Sequence, residues 1–152
     1  MLCVGVTPAS EILCELREFY EAHNYNGTVE PDDVVFVAME GSIIVGAVRL
    51  CEEEGVYVLR GMQVLEGRQR QGIGRRILIL VSNHIRKKEC WCISGGRDIE
   101  GLRRLYGNIG FRPINEEGAP YHLHARIRIY RKAHAAQGDD KQNEMLVHLP
   151  QL

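Results

Sequence analysis

One unit constrains this chain more than any other. It runs from an apolar, strand-like segment "VYVLRGMQVL" (56–65) through a Gly/Arg loop "EGRQRQG" (66–72). An amphipathic run "IGRRILILVSNHI" (73–85) follows, then a short apolar segment "CWCIS" (90–94). The pattern predicts a helix of about four turns from Gly74 to Lys87. Ile73, Ile77, Leu80, Val81 and His84/Ile85 recur on one face, with Arg75, Arg76, Arg86 and Lys87 mainly off it. A strand joined to the next strand by a crossover helix pairs with it in parallel. The chain must therefore contain at least one βαβ unit.

The flanking pattern is different. "VVFVAMEGSIIVGAVRLCEEEGVYVLRGMQVL" reads as three strands separated by "EGS" and "EEEG", and tight turns make adjacent strands antiparallel. "SEILCELREFYEAHN" reads as a first helix, with Ser10 as its cap and Ile12, Leu13, Leu16, Phe19 and Tyr20 at helical spacing. After "CWCIS", "DIEGLRRLYGNI" reads as a helix capped by Asp98 and ending at Gly110, and "FRPIN" as a strand. Residues 119–137 alternate like a strand at Leu123, Ala125, Ile127 and Ile129, and also recur like a helix. Pro120 and the Ala/Arg content favour the helix. "EMLVHL" closes the series as a strand. The order α, β, β, β, α, β, α, β, α, β predicts an α/β (α+β) architecture, a mixed sheet with helices on both faces.

With 152 residues, the chain suits a single domain spanning 1–152. Its net charge of −1 is unlike that of a general nucleic-acid binder. The N-terminus has no basic n-region and no long apolar h-region, and no segment reaches membrane-spanning length, so a cytoplasmic location is expected. Five cysteines without a secretion signal do not suggest disulfides. Cys90 and Cys92 would need partners such as His122 and His124 to hold a metal. No second ligand pair stands at zinc-like spacing, and the reading is no metal, with two apolar cysteines on a buried strand.

The loop before the helix admits two readings. Gly72 and Gly74 precede a helix whose first N–H groups are unpaired and whose end carries partial positive charge, and Arg68, Arg70 and Arg75 can add donors to a diphosphate. A basic helix start with glycines for a turn explains the same residues. A Walker A loop fails for want of Lys-Ser/Thr. A dinucleotide fingerprint fails because Ile77 stands at its third glycine.

"QRQGIG" (69–74) resembles the [Q/R]-x-x-G-x-[G/A] signature of the GNAT superfamily of N-acetyltransferases, and "LYGNIGF" (105–111) is similar to that superfamily's L-Y-x-x-x-G-F segment. The resemblance covers roughly residues 10–149, and its motifs stand in the superfamily's order. It implies a GNAT-like mixed, mostly antiparallel sheet flanked by helices, with the βαβ crossover at the cofactor site. Residues 119–137 would be a helical insertion between the last two strands. It also implies acetyl-CoA as co-substrate, a small-molecule or peptide amine as acceptor and a possible homodimer, while the charge and the lack of a spanning segment predict no nucleic-acid or membrane partner.

By the same resemblance, the backbone amides of Gln69, Arg70, Gln71, Gly72, Ile73 and Gly74, with Arg75, would hold the CoA pyrophosphate. Met62, Gln63 and Val64 would pair with the pantetheine arm where their strand splays from "CWCIS". The Val64 N–H would face the acyl carbonyl as oxyanion donor. Tyr106 stands where the superfamily often has a tyrosine that protonates the departing thiolate, and a phenol is protonated at neutral pH. A core tyrosine packing its helix on the sheet is the bland alternative.

The sequence departs from the superfamily in two places. "VYVLRGMQV" carries no carboxylate or histidine, leaving Glu54 at its entrance and Glu66 at its exit as candidate bases. Ile99 stands where an Asn is common, with Ser94 or Arg103 as substitutes. Arg60 either faces the acceptor cleft or snorkels to the surface. His122, His124 and His134 read as surface residues near the insertion, which could wall the acceptor site. The acidic "CEEEG" turn reads as solvated, and alternatively as a lure for a cationic amine. The function implied is acetyl-CoA-dependent N-acetyl transfer to a primary amine by direct attack. A non-catalytic CoA- or acyl-CoA-binding regulatory module is the alternative, and phosphate binding through the arginines is a third reading.

Overall fold

The structure, a computed structural model, describes residues 1–87, 92–94, 104, 106–114, 117, 121, 123–126, 128 and 145–148. Chain order gives β1 (Leu2–Pro8), a 3-10 turn (Ala9–Glu11), α1 (Leu13–Ala22), β2 (Val34–Glu40), β3 (Ile43–Glu53) and β4 (Val56–Val64). Then come α2 (Ile73–Arg86), β5 (Cys92–Ser94), β6 (Arg112–Ile114) and β7 (Met145–His148). The seven strands form one sheet in the order β1-β2-β3-β4-β5-β7-β6. Only the β4–β5 pairing is parallel, as the crossover through α2 requires.

The hairpin turns follow from backbone chemistry. Gly41 takes φ +62° between β2 and β3, and Glu54 and Gly55 both take positive φ between β3 and β4. Two left-handed residues in succession match the twist of a two-residue hairpin. The near-continuous apolar runs of β2 and β3 have a simple cause, since both sheet faces are covered. On one face α1 packs Leu16, Phe19 and Tyr20 against Val35, Val37, Ile44 and Ala47. On the other, α2 packs Ile73, Ile77, Leu78, Val81 and Ile85 against Phe36, Ala38, Val48, Leu50 and Leu59, joined by Tyr106, Ile109 and Phe111. Ile77 and Leu78 are fully buried, each contributing about 1.5–3 kcal/mol from apolar burial. Gly46 lets α2 approach closely, because a Cβ there would lie 2.9 Å from Ile77 Cδ1.

Several expectations need correction. The N-terminal segment is an edge strand, β1, paired antiparallel along β2, so the series begins with a strand. Ser10 does not cap α1. It lies in the 3-10 turn, and the helix begins at Leu13 behind Ile12 with no side-chain cap. Leu78 belongs to the buried face of α2, whereas Leu80 is only partly covered. Residues 121, 123–126 and 128 are helical. Asp98 lies outside the described residues. Among the described residues, no helix is long and apolar enough to cross a membrane.

Candidate functional site

The site is built around the C-terminal half of β4. Parallel pairing with β5 runs only from Tyr57↔Cys92 to Leu59↔Ser94, while β4 continues to Val64. Among the described residues, no strand borders 60–64 on that side, and a slot opens there. On its other side β4 stays paired with β3, through Ala47↔Gln63 and Gly46↔Val64. The Leu65 N–H donates to the Val45 carbonyl at 2.8 Å. Antiparallel residues alternate in the edge they address, so Gln63 and Leu65 serve β3 and Val64 directs its N–H and C=O into the slot. The Gln69 Nε2 donates to that Val64 carbonyl at 3.3 Å.

A β-bulge sets this alternation. Between Arg49↔Arg60 and Ala47↔Gln63, β4 spends three steps to β3's two. Had β4 continued without the extra residue, Val64 would stand opposite Val45 and give its N–H to β3. Gly61 occupies the bulge at φ +70°, a conformation disfavoured for residues with a Cβ.

The loop that follows zigzags through left-handed residues, with Gly67 at φ +89°, Arg70 at +65° and Gly72 at +80°. Gly72 is the N-cap of α2, offers no side chain, and leaves the first turn without an acidic residue. Among the described residues no side chain caps the helix's first N–H groups, as an anion site requires. The side chains of Gln69, Arg70, Gln71 and Arg75 are exposed around this end, Gly74 is half-buried, and Ile73 is buried and anchors it. Arg68 differs from expectation. Its guanidinium is ion-paired with Glu40 and donates through Nε to Gln71 at 2.9 Å, so it braces the loop.

Tyr106 is 5% exposed and meets Phe111 edge-on, at 5.3 Å between ring centroids. It belongs to the α2-side cluster against which Met62 and Val64 also pack, so the tyrosine and the slot residues share one face of the sheet. Cys92 on β5 is fully buried, and burial pushes its thiol far above neutral pH, so it cannot supply a thiolate nucleophile. Among the described residues no cluster of His, Cys, Asp and Glu could hold a metal. Cys90, Ile99, Arg103, His122 and His134 lie outside the described residues. His124 lies on the helix at 123–126 with its ring 5.5 Å from that of Tyr121.

The candidate bases separate. Glu54 sits at the β3–β4 turn, 92% exposed. Val64 stands at the far end of β4, eight strand steps beyond Val56 or roughly 25 Å at ~3.3 Å per residue. Glu54 therefore cannot serve the slot, whereas Glu66 is exposed just beyond β4. In the "CEEEG" turn Glu52 and Glu54 are exposed, whereas Glu53 is held by arginines. Glu53 is ion-paired with both Arg60 and Arg126, and Arg126 donates to the Glu53 carbonyl at 2.8 Å. Arg60 therefore ties β4 to the helix that carries Arg126.

The opposite face holds what the sequence did not announce. Arg49, in the middle of β3, is 1% exposed. Its Nη1 donates to Asp33 Oδ2 at 3.0 Å and to the Thr28 carbonyl at 2.6 Å, and its Nη2 to Tyr25 Oη at 2.5 Å. Tyr20 lies beside it and donates to the Gly61 carbonyl at 2.7 Å. Arg17, Tyr20, Glu21, Asn24, Tyr25 and Thr28 line a pocket of about 400 Å³ on this side. The signal in the sequence is a lone arginine within "IIVGAVRLC".

A β4 edge with no described strand beside it, next to a glycine-rich helix start without a side-chain cap, is an arrangement suited to an extended anionic ligand. Residues 31–113 match the acetyltransferase (GNAT) domain, and the chain belongs to that family. Solved structures agree on the fold. A GNAT-family acetyltransferase from Staphylococcus aureus Mu50 is 17% identical with TM-score 0.57, covering 96% of this chain and 98% of its own. Escherichia coli ElaA is 11% identical with TM-score 0.65, covering 97% and 99%. A GNAT acetyltransferase from Elizabethkingia anophelis with acetyl-CoA bound is 20% identical with TM-score 0.52, covering 75% and 78%. No curated protein matches the sequence. Family membership makes this chain an acyl-CoA-dependent acetyltransferase in general terms.

Proposed function

We propose that this chain, acting as one domain, transfers an acetyl group from acetyl-CoA to a primary amine by direct attack. The observation that carries the reading is the pairing of an open slot, into which Val64 directs its N–H, with an α2 start whose N–H groups have no capping side chain. The pyrophosphate of CoA suits the amides of 69–74 with Arg70 and Arg75, and pantetheine suits the edge at Met62 and Val64, the intervening Gln63 turning its backbone to β3. The E. anophelis relative, which carries acetyl-CoA, supports this choice of co-substrate. The thioester carbonyl would accept the Val64 N–H, which stabilises the oxyanion as the amine nitrogen bonds to the carbonyl carbon. The C–S bond then breaks, Tyr106 gives its phenolic proton to the sulfur, and the proton shed by the attacking nitrogen returns through water to the phenolate.

The test is thiol release from acetyl-CoA across a panel of primary amines, with wild type and Tyr106→Phe. Release with at least one amine is expected. Tyr106→Phe should lose about 10²-fold in kcat at unchanged CoA affinity. Tight CoA binding without release for any amine would favour a non-catalytic CoA-binding module. An unchanged kcat in the variant would return Tyr106 to a packing role.

A further inference from the structure

We infer that Tyr20 is a positioning residue for acyl transfer: its hydroxyl holds the β4 bulge at Gly61, and the bulge aims the Val64 N–H into the slot. The inference rests on the acetyltransferase reading above. Tyr20 lies on α1, 41 residues from Gly61, and its Oη sits 2.7 Å from the Gly61 carbonyl. A Cβ at position 61 would lie 2.7 Å from that hydroxyl, so only glycine admits the contact. The glycine is thus required twice, by its φ of +70° and by the phenol above it.

The phenol is itself fixed. Its ring is 2% exposed and lies 4.6 Å from the Tyr25 ring and 5.7 Å from Phe19. The Arg49 guanidinium stands 5.4 Å from both the Tyr20 and the Tyr25 ring centroids. Asp33, the Thr28 carbonyl and Tyr25 anchor that guanidinium in turn. Burial pushes the Tyr20 hydroxyl well above its ordinary range, so it remains a donor at every physiological pH. The bulge lies between Arg60 and Gln63, and the Tyr20 bond fastens the backbone there. A bulge moved past Val64 would turn that N–H back to β3 and remove the carbonyl's donor. Tyr20 also walls the pocket on the α1 side.

The experiment compares wild type with Tyr20→Phe, which keeps the ring and removes only the hydroxyl. CoA and acetyl-CoA affinities are measured by calorimetry, and amide hydrogen exchange is read at 61–64 and, as a control in the same sheet, at 35–37. The expected result is CoA affinity within about twofold of wild type and acetyl-CoA affinity lower by about threefold to tenfold, the worth of one hydrogen bond. Exchange should quicken at 61–64 and hold at 35–37. An unchanged acetyl-CoA to CoA ratio with unchanged exchange at 61–64 overturns the inference. So does exchange that rises equally at 35–37, because that reports stability alone. A wild-type protein that binds neither CoA species instead refutes the acetyltransferase reading on which the inference rests.

Discussion

Arg49 shows how far a single residue can escape a reading of the sequence. Arg60 drew attention as a charge inside a strand, yet it is half-exposed and paired with Glu53. Arg49 is the guanidinium sealed in the core, and its partner Asp33 is nearly as buried. Nothing in "VRLC" tells which face of β3 is dry, because both faces are covered and β3 reads as apolar throughout. Removing one partner of a buried pair leaves an uncompensated charge. Asp33→Ala should therefore lower stability by about 3–5 kcal/mol, measured by urea unfolding. A loss under about 1 kcal/mol would mean that solvent reaches Arg49. The glycines around α2, in contrast, were legible singly. Gly72 reads as a turn glycine ahead of the helix, and the structure makes it the N-cap of α2 at φ +80°.

At the scale of elements, α2 was predictable to within a residue because a 3.6-residue apolar period over four turns has no competing reading. β1 was missed because Gly5 and Pro8 interrupt the alternation of "LCVGVTP", and an edge strand needs only one partner. The Tyr20–Gly61 bond was beyond any local pattern, since it joins α1 to a bulge that exists only once β3 and β4 are paired. Elements also communicate through charge. The helix carrying Arg126 is tied to the β3–β4 turn by Glu53. Partial burial pushes the Glu53 carboxyl up, and hydrogen bonds from Arg126 and Arg60 outweigh it, holding the carboxyl below its ordinary value. A depressed folded-state value gives stability that is present above the ordinary glutamate value of about 4.5 and lost as pH falls through the lowered one. Glu53→Gln should thus cost roughly 1 kcal/mol at pH 7, the pair being partly screened by solvent. The gap to wild type should close below about pH 4.5. A gap that stays constant with pH would remove the ion pairs from the account.

On the scale of the whole molecule, β4 is shared by two faces. α2 and the loop that precedes it lie across β4 from α1 and the Tyr20 pocket. The order of elements made the parallel β4–β5 pair foreseeable, because a crossover helix permits nothing else. The placement of β7 between β5 and β6 was not foreseeable, because long-range pairing leaves no trace in local periodicity. The central claim is that the glycine-rich start of α2 and the splayed edge of β4 together hold CoA. Thermal unfolding with acetyl-CoA, CoA, ATP or no ligand tests it most directly. A ligand at about a hundred times its Kd adds roughly 2.7 kcal/mol to stability, a shift of several degrees for a chain of this size. The account predicts stabilisation by acetyl-CoA and by CoA and none by ATP. Unfolding that ignores both CoA species at saturating concentration would contradict it, and the arginine-rich loop would then be no more than the basic start of a helix.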